Sequence, residues 1–422
     1  MTAPVSRARQ IAAAVIGNAL EWYDFVVFGF LTVIIAKLFF PADNEYAALL
    51  KTTATFGVGF FMRPLGGLLL GLYADRHGRK AALQVIMGLM TVAIAMIAFA
   101  PTYAAIGIAG PLLIVLARLL QGFATGGEFA IATSFLVESA PPHRRGFFGS
   151  FQQVGLALAA LGGALAGMFV TTGLTPEQLE SWGWRVPFLF GLLIGPVGLW
   201  IRRHLQETEE FQEVRASRPQ EASILSLLRG QLRAVLVTFG LVIGATISYY
   251  VLLVYMPTFA KTQLKIGLGD AFTAQVIALS VLLAVIPLVG HLSDLVGRRP
   301  PMLVGNVLLF SSLYPLFQWL QAEPTFATLA VVQATLCGML GVIYGSISTA
   351  VTEQFPPGVR STGLALSYNF AVMLFGGFAQ FFVTWLIDAT GQSIAAAYYV
   401  MFGAVVGLAA TLAVREPGDT PG

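Results

Sequence analysis

Hydrophobic and polar positions along the chain alternate on a long scale: apolar runs of about 20 residues or more, the length that crosses a ~30 Å hydrocarbon core, are separated by short polar loops. Twelve such runs are predicted, near residues 11–39, 47–74, 81–100, 106–138, 147–172, 186–202, 232–260, 271–292, 300–320, 325–353, 360–388 and 394–414. Their length implies helices, because a membrane barrel reads as short segments of alternating character. With 57% hydrophobic residues, 11% charged residues and a mean hydropathy of +0.78, the chain is an all-α membrane protein. The first run follows the basic flank MTAPVSRARQ but is too long for a cleaved leader and carries Glu21 and Asp24, so it is expected to be the first permanent span.

Charge sets the expected orientation. Arg7 and Arg9, the loop with Arg76, Arg79 and Lys80, the pair Arg144 and Arg145, the segment from Arg202 to Arg233, the pair Arg298 and Arg299, Arg360 and Arg415 all fall on one side. The opposite loops carry only Lys51, Arg185, Lys261 and Lys265, which predicts that both termini are cytoplasmic. The net charge of +3 sits in these short loops, with no basic tail of the kind that binds nucleic acid. A single cysteine, Cys337, excludes an intramolecular disulfide and a cysteine-based metal site. No metal-ligand cluster, nucleotide loop or nucleophile constellation is apparent, so neither an enzyme nor a cofactor nor a bound metal is expected.

The one extended polar stretch, residues 204–230, divides six runs from six and prompts a search for internal repeats. GLYADRHGRK at 71–80 matches GHLSDLVGRR at 290–299, and ESAPPHRRG at 138–146 matches EQFPPGVRS at 353–361. The two matches keep their order and nearly their offset. The expected organisation is a bundle over residues 1–203, a cytoplasmic linker over 204–230 and a second bundle over 231–422, a pseudo-symmetric pair of the kind that secondary transporters build around a midplane site.

The repeated loop G-x-x-x-D-R-x-G-R-K resembles the cytoplasmic signature of the major facilitator superfamily. That resemblance implies a cytoplasmic gate in which Asp75, Arg79, Glu138 and Arg145, mirrored by Asp294, Arg298, Glu353 and Arg360, form ion pairs that differ between outward-facing and inward-facing states. Within the superfamily, GNALEWYDF in the first run, MRPLGG at 62–67, RLLQGFATGGE at 118–128, GWRVPF at 183–188 and LQETEEF at 205–211 resemble the metabolite:proton symporters. VYMPTFA at 254–260, TEQFPP at 352–357 and LFGG at 374–377 are most similar to the citrate and tricarballylate carriers of that family. The resemblance implies a monomer in the bacterial inner membrane that imports a small organic acid, a di- or tricarboxylate such as citrate or tricarballylate, together with a proton. The same family includes carriers of 2-oxoglutarate, shikimate and zwitterionic osmolytes such as betaine or proline. From a different class, a membrane sensor without transport would share the span pattern.

Five charges lie deep in the runs: Glu21, Asp24, Arg63, Arg118 and Glu128, all in the first half. Each is a candidate functional residue, because a charge in the bilayer core costs several kcal/mol unless it is paired or faces a cavity. At 1.5 Å rise per residue, Glu21, Arg63 and Glu128 share a depth of about 15 Å from the cytoplasmic ends, and Asp24 lies near ~20 Å. Two acids beside one arginine leave an acid without a full partner, so Asp24, Glu21 and Glu128 are the candidate proton carriers, in that order. The resemblance further implies a pairing of Asp24 with Arg118. A carboxylate substrate favours a planar guanidinium, which assigns it to Arg118 and Arg63. Asn18, Gln152, Tyr255, Tyr344, Tyr368 and Asn369 are the polar side chains expected to complete the pocket.

Overall fold

A computed structural model describes residues 7–77, 79–126, 128–138, 140–192, 224–356 and 359–416, and every regular element among them is helical. Eight helices in this set are long and apolar enough to cross a bilayer, and a bent pair makes a ninth. Two shorter apolar helices, Gln84–Ala98 and Ala109–Ala124, take the places predicted for spans 3 and 4. Of the run predicted as span 6, residues 186–192 are helical and the rest lies outside the described residues, as do the linker up to residue 223 and Gly78 of the first loop signature.

The runs predicted as single helices are interrupted in four places. Span 1 consists of Arg7–Phe30 and Thr32–Phe39, bent by 63° at Leu31. There the Thr32 hydroxyl donates to the carbonyl of Gly29 at 2.7 Å, a local bond that competes with the helix ladder. Span 4 is divided into Ala109–Ala124 and Glu128–Glu138. A short helix, Tyr103–Ile106, and a turn at Gly107, whose φ of 60° suits glycine, lie ahead of it. Span 7 runs as Ile224–Ser248, a π-helical stretch Tyr249–Tyr255, and Met256–Thr262. Pro257 lacks the donor that a continuous α-helix would require, and the wider π turn accommodates it. Span 11 has a similar stretch, Val372–Gly376, between Arg360–Ala371 and Ala379–Thr390.

The other spans are less interrupted. Span 2 is Glu45–His77, span 3 Arg79–Ala98, span 5 Arg145–Gly173, span 8 Leu268–Val296, span 9 Arg299–Ala322, span 10 Phe326–Glu353 and span 12 Ala395–Leu412. Spans 1, 2, 4 and 5 face spans 7, 8, 10 and 11 across the middle of the molecule. Lipid-facing positions such as Leu288, Leu295 and Phe169 are exposed, while one buried apolar cluster joins both halves.

Candidate functional site

The site begins with a seam of glycines between spans 2 and 4. A Cβ on Gly122 would lie 1.6 Å from the carbonyl oxygen of Gly59, one on Gly66 1.8 Å from that of Phe123, and one on Gly126 2.0 Å from that of Arg63. Only glycine permits such backbone contact. The crossing fixes Arg63, on span 2, and Arg118, on span 4, relative to each other. Both are buried, at 2% and 0% exposure.

Aromatic rings enclose both guanidiniums. That of Arg118 lies 4.6 Å from the Phe25 and Phe28 rings and 5.0 Å from Phe56, and its Nη1 donates to Gln121 Oε1 at 2.6 Å. That of Arg63 lies 4.6 Å from Trp22, 4.9 Å from Phe60 and 5.4 Å from Phe25, and its Nε donates to the Thr125 hydroxyl at 3.3 Å. Phe25 is thus shared. Cation–π attraction of about 2 kcal/mol or more in a desolvated setting compensates part of the burial. Among the described residues, Arg63 Nη1 and Arg118 Nε and Nη2 have no hydrogen-bond acceptor.

Glu21 and Asp24 are both buried on span 1. Asp24 Oδ1 has no hydrogen-bond partner among the described residues and rests against span 6, where a Cβ on Gly191 would come within 1.9 Å of it. No ion pair joins Asp24 to Arg118 in this conformation, because Arg118 is turned to Gln121 and its three rings. The side chain of Glu128, like those of Asp75 and Arg79, lies outside the described residues.

Between the two halves is a cavity with an aromatic wall: Trp22, Phe129, Tyr249, Tyr250, Tyr344 and Tyr368, completed by Gln153, Thr246, Ser348 and aliphatic side chains. Tyr344 and Tyr368 stand where the sequence suggested a pocket. Tyr250 connects the cavity to the arginines, since it packs edge-on against Phe56 and Phe60 at 5.8 and 5.6 Å. Arg63 is close enough to the Tyr368 hydroxyl to interact with it across the bundle interface. The remaining expected pocket residues sit outside the cavity wall. Asn18 and Gln152 hydrogen-bond each other's polar groups between spans 1 and 5, and Tyr255 accepts from the Thr384 hydroxyl at 3.1 Å. Asn369 donates to the carbonyl of Gly126 at 2.7 Å, at the break in span 4, while Tyr368 stacks on Phe129 at 3.6 Å.

Contacts close the interface on both sides of the cavity. At the end carrying the chain termini, Arg360 pairs with Glu138 at 2.7 Å across the bundles. Asp294 accepts from the backbone N–H groups of Gly146 and Phe147, at the start of span 5, and from Arg298 at 2.8 Å. Arg298 also reaches Glu353 at 3.3 Å. Burial by itself disfavours its charge, but Glu353 and Asp294 more than offset this and raise its pKa above the ordinary guanidinium value. Arg145 joins this region through its carbonyl, which accepts from Thr349 at 3.0 Å. At the opposite end, Phe30 of span 1 meets Phe272 of span 8 edge to face at 5.7 Å.

A family model described as Major Facilitator Superfamily matches residues 15–366. The chain belongs to the major facilitator superfamily. Among curated relatives of this superfamily member, a citrate-proton symporter of Klebsiella pneumoniae is 36% identical over 410 residues, 97% of this chain and 92% of that protein. A proline/betaine transporter of Escherichia coli (strain K12) is 33% identical over 427 residues, 98% and 84% of the two chains. A crystal structure of a D-xylose-proton symporter superposes with a TM-score of 0.76 at 18% identity, covering 96% of both chains. A partially occluded inward-open xylose transporter from E. coli gives 0.78 at 18% identity, covering 98% and 99%. These likenesses bear out the expected fold of twelve spans in two six-helix bundles.

Sequence reasoning placed Phe25 on the face of span 1 that carries Glu21 and Asp24, but it did not single out Gln121, Thr125, the other rings around the two arginines or Gln380. For Gln121 the signal was present: it lies at i+3 from Arg118 on one helix face.

Proposed function

We propose that this chain is a proton-coupled symporter of the bacterial inner membrane, with both termini cytoplasmic, that imports a small organic anion such as citrate or tricarballylate. The reading rests on one observation above all: two buried guanidiniums, fixed by the glycine seam and with N–H donors free of acceptors among the described residues, stand in the same bundle as Asp24. Guanidinium donors of that kind match a carboxylate geometrically and electrostatically. The names of the citrate-proton symporters among its relatives support the same cargo class and the coupling to protons. Asp24 carries the proton, with Glu21 and Glu128 as further acids of the relay. The cytoplasmic gate comprises Glu138, Arg145, Asp294, Arg298, Glu353 and Arg360, with Asp75 and Arg79 as its counterparts in the first repeat. Nothing in this cycle calls for a cofactor, and the chain acts as a monomer.

A second reading has its own observation. Among the described residues the cavity wall holds four tyrosines and a tryptophan but no arginine or lysine, a setting that suits a quaternary or secondary ammonium through cation–π contact. A betaine-like zwitterion would place its carboxylate toward the arginines and its cationic group among the tyrosines. Uptake of labelled citrate into proteoliposomes distinguishes the two readings. Import that follows an inward proton gradient, collapses with a protonophore and is inhibited by tricarballylate but not betaine supports the first. Accumulation of betaine or proline without citrate uptake overturns it.

A further inference from the structure

Gln380, on span 11, is fully buried, and both its amide oxygen and its amide nitrogen have no hydrogen-bond partner among the described residues. Its Nε2 faces Gly29 of the opposite bundle, 3.0 Å from where a Cβ on that glycine would lie, and Val254 and Phe56 crowd the same point. Gly29 is immediately before the 63° bend in span 1, and the Phe56 ring also stacks under the Arg118 guanidinium. A primary amide is thus enclosed among apolar groups at the root of the bend, in the half of the molecule away from the termini. Closing an interface over such a group is unfavourable unless something satisfies it.

We infer that Gln380 is the substrate contact of the second bundle and makes closure of the periplasmic side depend on cargo. This rests on the proposed import of a carboxylate-bearing metabolite. A carboxylate held at Arg118 accepts a hydrogen bond from Gln380 Nε2 and removes the penalty that opposes closure around an empty site. An empty carrier then favours the open periplasmic side, and a loaded one closes. Such a bias suppresses cycling without cargo, because a ligand shifts an equilibrium only through its different interactions with the two states.

The test is the distance between spin labels on two exposed periplasmic positions, one in each bundle, in the variant Asp43→Cys/Gln392→Cys of the full chain; Cys337 is buried and does not compete for label. In the parent, citrate or betaine should increase the closed fraction. Gln380→Met, of similar length but apolar, should raise the closed-to-open ratio of the ligand-free protein about fivefold or more, the factor expected when an unsatisfied buried polar group is removed, and abolish the response to ligand. Gly29→Ala should act in the opposite direction, since its methyl group would intrude between Val254 and Gln380. If Gln380→Met leaves the ligand-free distances unchanged, the inference is overturned. If the parent ignores every carboxylate while the ligand-free shift persists, the cargo assignment fails and the gate contact stands.

Discussion

At the scale of single residues, the acids and arginines of the first half were legible in the sequence because a charge inside an apolar run is conspicuous on cost alone. Their partners were not. Phe28 and Phe56 read as ordinary membrane residues, yet with Phe25 they enclose Arg118, and only the three-dimensional arrangement shows that Asp24 rests on Gly191 instead of reaching Arg118. Two outcomes follow. Asp24→Asn should abolish proton-driven accumulation while preserving exchange of labelled for unlabelled substrate, which a counterflow assay separates; intact accumulation removes Asp24 as the carrier. Arg118→Lys keeps the charge but loses the planar face that fits among three rings, so uptake should fall at least tenfold, equivalent to about 1.4 kcal/mol or more of lost stabilisation.

For whole elements, the twelve runs were readable from length and hydropathy, and Pro257 marks a kink in its run, but the other departures from straight helices were not. The bend at Leu31, the break in span 4 and the two π-helical stretches arise where Thr32, the Gly126 region, Pro257 and the Gly376–Gly377 pair disturb the helix ladder locally, and an average over 20 apolar residues conceals such events. The glycine seam is present in the sequence as the glycines within MRPLGG and RLLQGFATGGE, which do not by themselves reveal a helix crossing. Its energetic weight is testable, because Gly122→Ala places a methyl group 1.6 Å from the Gly59 carbonyl oxygen. Melting of the detergent-purified protein should show a loss of about 1–3 kcal/mol or more for that variant. Gly88→Ala, in span 3 with open space around it, should be neutral or stabilising by about 0.5–1 kcal/mol through helix propensity. Equal melting temperatures for the two would show that the crossing is slack.

Taken as a whole, the described residues of the two bundles touch on both sides of the cavity, and the contacts at the terminal end are unequal in strength. The Glu138–Arg360 pair is partly solvent-exposed, with side chains 44% and 13% accessible, and is worth about 0.2–1 kcal/mol. Asp294, 3% accessible, receives two backbone N–H groups from the start of span 5, charge-assisted hydrogen bonds that cross between the bundles and are worth about 1.5–3 kcal/mol each. Asp294→Asn should therefore shift the protein toward the state open at that end by a large factor, and Glu138→Gln only by two- to fivefold, as read from labelling of cysteines placed beneath the gate. A larger effect from Glu138→Gln would invert this hierarchy. The sequence repeat located these acids and arginines but not their ranking, which depends on how deeply each is buried. The glycine seam has a consequence for how such a carrier diversifies. With the two guanidiniums fused to one crossing of the first bundle and the four cavity tyrosines carried by spans 7, 10 and 11 of the second, the buried cations and most of the aromatic wall lie on different halves of the chain. Substitutions at those tyrosines are therefore expected to alter the shape of the cavity while leaving Arg63 and Arg118 held at their crossing.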